Sequence, residues 1–146
     1  MMEKIKLKIE QISPVAQCPK YQYIGDSGAD ICSAINYTLK PFERKAIPTG
    51  LKVEVPIGYE LQVRSRSGLA LDSGIIVLNS PGTIDSGYRG EIKVILINLS
   101  QKSFEINVGQ RIAQIVLMPV FFANFEQVID LSNSERGADG FGSTGF

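Results

Sequence analysis

Several features that would identify common kinds of protein are missing from this 146-residue chain. It has no histidine, which excludes Ser-His-Asp triads and most zinc sites, so any catalytic base must be a carboxylate. It has two cysteines, Cys18 and Cys32, which are too few for a disulfide scaffold. We therefore expect a reducing compartment.

Net charge and long apolar runs are missing as well. Fifteen basic and fifteen acidic residues give a formal charge of zero, which is not the positive surface of a general nucleic-acid or membrane-surface binder. No apolar run approaches the roughly 20 residues of a membrane span, and residues 1–9 lack the apolar block of a signal peptide. We expect a cytoplasmic protein with no membrane partner and no direct nucleic-acid binding.

Short segments in which apolar and polar residues alternate predict β-strands, because successive side chains of a strand point to opposite faces. Such segments, bounded by turn-forming residues, cover 5–9, 51–55, 59–63 and 104–108, and a further apolar run covers 111–118. The best helix candidate is a short turn at 69–71. The pattern predicts an all-β antiparallel sandwich or barrel. Residues 92–97 are apolar on both strand faces, which indicates either a subunit interface or burial within the monomer.

The chain is long enough for one domain, predicted to span residues 1–131, and a tail follows from 132 to 146. The tail has four glycines and few apolar side chains, so we expect it to be flexible. It also carries Arg136, Phe141, Ser143 and Thr144, a cation, a ring and two hydroxyls that suit a nucleotide's phosphate and base. This combination favours a lid over an inert end.

Residues 82–91, with the sequence GTIDSGYRGE, are the strongest candidate for a binding site. Glycines let the backbone approach a ligand closely, and they flank Asp85 and Tyr88 here. Residues 64–70 supply two guanidiniums and two hydroxyls after a strand, a plausible phosphate cradle. Residues 25–30 read most simply as a turn, because Gly, Ser and Asp are the residues that turns prefer.

Five segments in order, 27–31, 66–70, 82–91, 109–114 and 136–145, resemble the five motifs of the trimeric dUTPases. The likeness spans nearly the whole chain. It implies a jelly-roll-like β-domain that forms a homotrimer, with three active sites at the subunit interfaces. It also implies hydrolysis of dUTP to dUMP and pyrophosphate with Mg2+ as cofactor.

The resemblance also implies a role for each matched residue. Asp85 would be the catalytic base that activates water for attack on the α-phosphate. Tyr88 would pack on the deoxyribose and exclude a 2′-hydroxyl, and Asn79 would read the uracil edge. Asp30 would bind magnesium indirectly, through water. The remaining substrate-binding positions are Arg66, Ser67, Gly68 and Gln114 in the body, and Arg136, Phe141, Gly142, Ser143 and Thr144 in the tail.

Three positions depart from the family pattern. Ser65 stands where many members have Pro or Gly, which predicts a less constrained turn, Gly87 replaces a frequent Asp, and Asp139 replaces a glycine before Phe141. Two rival functions remain. The dCTP deaminases share the fold but place a catalytic glutamate in the strand after the third motif, and residues 92–97 contain no carboxylate. A non-catalytic nucleotide-sensing or protein-binding module would not need Asp85.

Overall fold

The computed structural model describes residues 2–145, so Met1 and Phe146, which the predicted domain and tail include, lie outside the described residues. Within residues 2–145, ten strands and one short helix follow one another. They are β1 (Lys8–Gln11), β2 (Ala29–Cys32), β3 (Tyr37–Leu39), β4 (Arg44–Glu54), β5 (Tyr59–Arg64), α1 (Ser67–Ser73), β6 (Ile75–Val77), β7 (Gly82–Ile84), β8 (Glu91–Asn98), β9 (Phe104–Ile106) and β10 (Arg111–Pro119).

The strands form two four-stranded sheets and one small one. The first sheet has the order β1-β4-β8-β6, the second has the order β2-β10-β5-β7, and β3 pairs with β9. All of these pairings are antiparallel. The all-β, jelly-roll-like antiparallel fold expected from the sequence is confirmed. α1 has only seven residues, and no helix in the described part of the chain could cross a membrane.

The core is formed by the inward-facing residues of the strands. On β8, Ile92, Val94 and Leu96 are buried, whereas Ile95 and Ile97 on the other face are only half-buried. Each fully buried aliphatic side chain contributes about 1.5–3 kcal/mol relative to an exposed one. The two interpretations of residues 92–97 therefore apply to different faces, since one face is buried in the monomer and the chain covers the other only in part.

Most predicted strands are present, with differences at their ends. β1 begins at Lys8, so Ile5 and Leu7 precede the strand although the alternation includes them. β9 ends at Ile106 and leaves Val108 exposed before the turn at Gly109, whose φ is 82°. The predicted turn at 25–30 is shorter than expected, because β2 already begins at Ala29. The short helix at 69–71 is confirmed within α1.

The chain leaves the body of the domain after β10. The Val120 N–H donates to the Gly58 carbonyl at 2.9 Å, and residues 121–139 are all exposed. Their apolar members include Phe121, Phe125 and Ile129, each more than nine-tenths exposed. Such a run of uncovered apolar side chains is unusual for a monomer in water and indicates that another surface covers it.

Candidate active site

The second sheet brings the first, second and fourth motifs together. Gln114 on the central strand β10 lies opposite Asp30 of β2 on one side and opposite Arg64 of β5 on the other. The chain turns directly after Arg64, so Arg66 and Ser67 emerge beside this row. Strand register therefore brings together residues that are up to 84 positions apart along the chain (114 − 30 = 84).

Asp30 is the electrostatic centre of this cluster. Its Oδ1 accepts the Nε of Arg66 at 3.2 Å, and its Oδ2 accepts the Nη1 of Arg111 at 3.2 Å and the Nε2 of Gln22 at 3.0 Å. The Asp30 side chain is only 12% exposed, so these partners offset the cost of removing its charge from water. The carboxylate thus fixes two guanidiniums at the edge of an open space.

That space, which we call the phosphate cavity, has a volume of about 580 Å3. Ser67 and Gly68 are exposed at its wall, and Gln114 and Asp26 face it from other elements. Its charged and hydroxyl groups suit an anion of several phosphates. The lining residues are Gln22, Tyr23, Asp26, Ser27, Gly28, Asp30, Arg66, Ser67, Gly68, Arg111 and Gln114.

Gln114 is held in place from two sides. Its Nε2 donates to the Ser65 carbonyl at 3.2 Å. On the other side, a Cβ on Gly28 would overlap the carboxamide oxygen and lie 2.8 Å from the carboxamide carbon. The sequence predicts a turn at Ser65 that is less constrained than one with Pro or Gly. In this chain Ser65 Oγ also accepts the Val77 N–H at 2.8 Å, so hydrogen bonds hold the turn.

Asp85 and Tyr88 line a different cavity of about 230 Å3, which we call the hairpin cavity. The Tyr88 N–H donates to the Asp85 carbonyl at 3.1 Å and closes the turn. The Tyr88 hydroxyl donates to the Glu91 carbonyl at 2.9 Å, and its ring lies over Gly90, where a Cβ would be 2.6 Å from the ring carbon Cζ. The Asp85 side chain is exposed, and the Tyr88 side chain is 46% exposed. An acid and a flat ring therefore face the same open space.

Arg89 fixes this turn to the first sheet, a role that the sequence did not indicate. Its Nη1 donates to the Ser86 carbonyl at 2.7 Å, and its Nη2 pairs with Glu54 at 3.2 Å. The hydrogen bond from Lys8 and the charges of Lys8 and Arg89 hold the pKa of Glu54 below its usual value. Arg111 and Gln22 were also missed. The one signal for Arg111 is its place as the charged first residue of the apolar run 111–118.

The phosphate cavity and the hairpin cavity have no lining residue in common. Asn79 lies exposed in the loop between β6 and β7, and its Nδ2 would be 3.3 Å from a Cβ on Gly82. One chain thus brings Asp30, Arg66, Ser67, Gly68 and Gln114 together, and separately brings Asp85 and Tyr88 together. The candidate residues of a single chain do not form one closed site.

The tail residues make local contacts. Arg136 Nε donates to the Asp139 carbonyl at 2.8 Å, and the Ser143 N–H donates to the Gly140 carbonyl at 3.0 Å. Phe141 is fully exposed in a left-handed backbone conformation, with φ of 51°. Gly142, Ser143 and Thr144 are exposed as well.

Within residues 2–145 there is no group of three or more His, Cys, Asp or Glu side chains arranged to hold a metal ion. Asp26 and Asp30 both line the phosphate cavity, but both Asp30 oxygens already accept hydrogen bonds. This donor set fits a cation that arrives bound to phosphate oxygens and keeps its waters, as Mg2+ commonly does.

A family model and several curated relatives with similar sequences agree on one family. Residues 15–145 match the family model described as dUTPase. The deoxyuridine 5′-triphosphate nucleotidohydrolase of Nautilia profundicola is 55% identical over 141 residues, covering 97% of this chain and 99% of that protein. The protein of the same name from Bdellovibrio bacteriovorus is 51% identical over 147 residues, covering 99% of both chains.

Solved structures that are similar to this chain include dUTPases as well. The dUTPase of Staphylococcus bacteriophage 80alpha with dUpNHpp is 30% identical, covers 98% of this chain and 100% of its own, and superposes with a TM-score of 0.91. A mutant dUTPase from phage phi11 of S. aureus, described with a structural Mg(II) ion, is 25% identical, covers 88% of this chain and 100% of its own, and has a TM-score of 0.82. With the family model matched over most of its length and relatives above 50% identity, this chain belongs to the dUTPase family.

Proposed function

We propose that this protein hydrolyses dUTP to dUMP and pyrophosphate, which keeps uracil out of DNA and supplies dUMP for thymidylate synthesis. The observation that carries the proposal is the pairing of two cavities: one presents two guanidiniums beside hydroxyl and carboxamide groups, and the other presents an acid beside an aromatic ring. Family membership and the nucleotide analogue bound by a similar phage dUTPase support the same substrate.

The phosphate cavity is the proposed triphosphate site. Arg66 and Arg111 supply charge, and Ser67 and the carboxamide of Gln114 supply hydrogen-bond donors. Gly68 exposes its backbone beside Ser67, and a Cβ there would meet nothing within 4 Å, so the wall is open to a bulky anion. Asp30 orients the guanidiniums and, through water, holds the cation that accompanies the phosphates.

Base and sugar selection belongs to the hairpin that carries Asn79 and Tyr88. Asn79 and neighbouring backbone groups pair with the uracil edge. Cytosine would leave these polar groups unpaired, which is an effective way to reject a similar ligand. The Tyr88 ring packs against the deoxyribose and leaves no room for a 2′-hydroxyl. The hydrogen bond to the Glu91 carbonyl holds the ring in position.

Asp85 is the proposed catalytic base. Its exposed carboxylate takes a proton from a water molecule whose oxygen forms a new bond to the α-phosphorus, and the bond from that phosphorus to the bridging oxygen breaks. Pyrophosphate leaves with the bonding electrons. Magnesium on the triphosphate would neutralise its charge and stabilise the departing pyrophosphate.

We propose a homotrimer whose active sites lie between subunits. Support comes from the separation of the two cavities and from the outer face of β8, which the chain covers only in part and where Ile95 borders the hairpin cavity. Ala46 of β4 lies opposite Ile95 on that face. Packing this face against another copy would bring the hairpin cavity of one subunit to the phosphate cavity of its neighbour.

The tail, predicted as residues 132–146, is the proposed lid. Phe141 would stack on the uracil, while Arg136, Gly142, Ser143 and Thr144 would grip the terminal phosphate. Closure would exclude bulk water and strengthen each charge contact inside. The cytoplasmic location is part of the proposal, supported by the free thiols of Cys18 and Cys32.

The test is pyrophosphate release from a panel of dUTP, UTP, dCTP and dTTP with Mg2+. We expect rapid release from dUTP and little from the others. Ammonia release from dCTP would indicate a deaminase, and dUTP binding without release would indicate a nucleotide-sensing module. Either result would overturn the proposal.

A further inference from the structure

Ser65 connects three elements at the entrance to the phosphate cavity. It lies between the end of β5 and Arg66, the residue that precedes α1. Its carbonyl accepts Gln114 Nε2 of β10 at 3.2 Å, and its Oγ accepts the Val77 N–H of β6 at 2.8 Å. One residue therefore joins the phosphate-binding turn to both large sheets.

The hydrogen bond from Val77 to Ser65 pairs a backbone N–H that points away from the neighbouring strand of the sheet. Val77 is 1% exposed and lies on β6, the edge strand of the first sheet. The neighbouring Leu78 N–H donates to the Ile95 carbonyl of β8 at 2.9 Å, so the Val77 N–H points the other way. Ser65 Oγ accepts it, and the Ser80 hydroxyl donates to the Val77 carbonyl. Without the Ser65 hydroxyl, a buried donor would lose its partner.

The position of the turn determines where the side chains that would bind the triphosphate lie. Arg66 and Ser67 follow Ser65 directly, and Arg66 must reach Asp30 for the ion pair at 3.2 Å. Proline, one of the two residues that the family pattern has at this position, would restrain the turn through its ring. In this chain no ring restrains the backbone at Ser65, and the two hydrogen bonds hold it instead.

We propose that Ser65 is a positioning residue for triphosphate binding. Its hydroxyl and carbonyl hold the turn so that Arg66, Ser67 and Gln114 meet the phosphates together. The inference rests on the proposed function, because it assigns the phosphate cavity to the triphosphate of dUTP. It adds that phosphate binding depends on the hydrogen bond between Ser65 and Val77 of β6, which lies outside the cavity.

The experiment compares Ser65→Ala with Ser65→Thr, which keeps the hydroxyl, and with Ser100→Ala. Ser100 is a matched control, since its Oγ also accepts a backbone N–H, from Lys102 at 3.2 Å, in the turn between β8 and β9. Binding of dUpNHpp and of dUMP is measured by calorimetry on each folded variant. Binding of dUMP is measured both with and without Mg2+. The dUpNHpp measurements include Mg2+, and dUMP lacks the two outer phosphates.

We expect Ser65→Ala to weaken dUpNHpp binding about tenfold, the scale of one hydrogen bond to a buried group. Binding of dUMP should change less than about twofold, because that ligand lacks the phosphates that the turn grips. Ser65→Thr should restore dUpNHpp binding, and Ser100→Ala should bind it like the wild type. The ratio of the two affinities is the deciding quantity, since a general loss of folding would weaken both.

Three results would overturn the inference: unchanged dUpNHpp binding by Ser65→Ala, equal weakening of dUMP and dUpNHpp, or no rescue by threonine. A failure of the proposed function would appear in a different measurement, the release of pyrophosphate. A wild-type chain that binds dUpNHpp but releases no pyrophosphate from dUTP would refute hydrolysis, while the binding comparison would still decide the role of Ser65.

Discussion

Substituting Gly28 by alanine tests how closely the phosphate cavity is built around Gln114. The added Cβ would overlap the Gln114 carboxamide oxygen and lie 2.8 Å from the carboxamide carbon and 3.2 Å from the Gln114 Cβ. The last two distances are shorter than an ordinary carbon–carbon contact of about 3.5–4.0 Å. The carboxamide must therefore move, and its hydrogen bond to the Ser65 carbonyl is lost.

The size of the effect follows from three contributions. The lost hydrogen bond costs about 0.5–1.5 kcal/mol, and local overpacking of a mobile side chain costs about 1 kcal/mol, the low end of its range. Replacing glycine also reduces the conformational entropy of the unfolded chain, which raises the free energy of unfolding by about 0.4–1 kcal/mol. We expect the free energy of unfolding to fall by about 1 kcal/mol, and dUpNHpp binding to weaken about tenfold because Gln114 no longer faces the phosphates.

The assay is urea unfolding of Gly28→Ala, Gln114→Ala and the double variant. If the clash is the cause, the cost of Gly28→Ala should largely disappear once Gln114 is already alanine. Gly87→Ala is the matched control for stability, since a Cβ there would meet nothing within 4 Å. An equal cost of Gly28→Ala in both backgrounds would refute the reasoning.

Three further predictions concern the base, the lid and a pH-dependent pair. Asp85→Asn should lower kcat by about 10²–10⁴-fold with dUpNHpp binding retained, and stopped-flow assays that find near-normal turnover would remove Asp85 as the base. Deleting the residues after Arg136 should cut turnover on the order of a hundredfold by leaving the substrate poorly positioned, with the number of subunits per oligomer in solution unchanged; full activity would exclude a lid. The hydrogen bond from the Tyr37 hydroxyl lowers the pKa of Glu43. The stability that this hydrogen bond contributes is therefore present at pH values above the usual pKa of a glutamate, and it is lost as the pH falls through the lowered pKa. Urea unfolding at neutral and acid pH should therefore show a smaller acid loss in Tyr37→Phe, and equal losses would contradict this.

The strands of the core could be predicted because burial of one face imposes a period of two on the sequence. That rule gave β5, where Leu61 and Val63 are buried as expected. The long β10 was predicted from a continuous apolar run instead. It could not set the start of β1, since the pairing with β4 begins only at Lys8 and Ile5 and Leu7 pair with no strand of residues 2–145. It also could not show that Asp30 lies in a strand, because its neighbours Ser27 and Gly28 suit a turn equally well.

Residue types alone indicated a binding site at residues 82–91 and a plausible phosphate cradle at residues 64–70. The substrate and the role of each residue could be predicted only through the resemblance of the motifs to a family. The partners of Asp30 depend on strand register, and the register that sets Gln114 opposite both Asp30 and Arg64 is long-range information. Arg89 was missed for a similar reason, because its partner Glu54 lies 35 residues away on β4 (89 − 54 = 35).

The central claim is that two cavities on different subunits form one dUTP-hydrolysing site. It is tested most directly by co-expressing Asp85→Asn with Arg66→Ala and measuring pyrophosphate release from dUTP. Each variant alone should be nearly inactive. In randomly mixed oligomers, a site that takes its hairpin from one subunit and its phosphate cavity from another is intact with probability one half times one half, so about a quarter of wild-type activity should return. Mixed oligomers without recovered activity would contradict the account, because they would show that each subunit needs both residues.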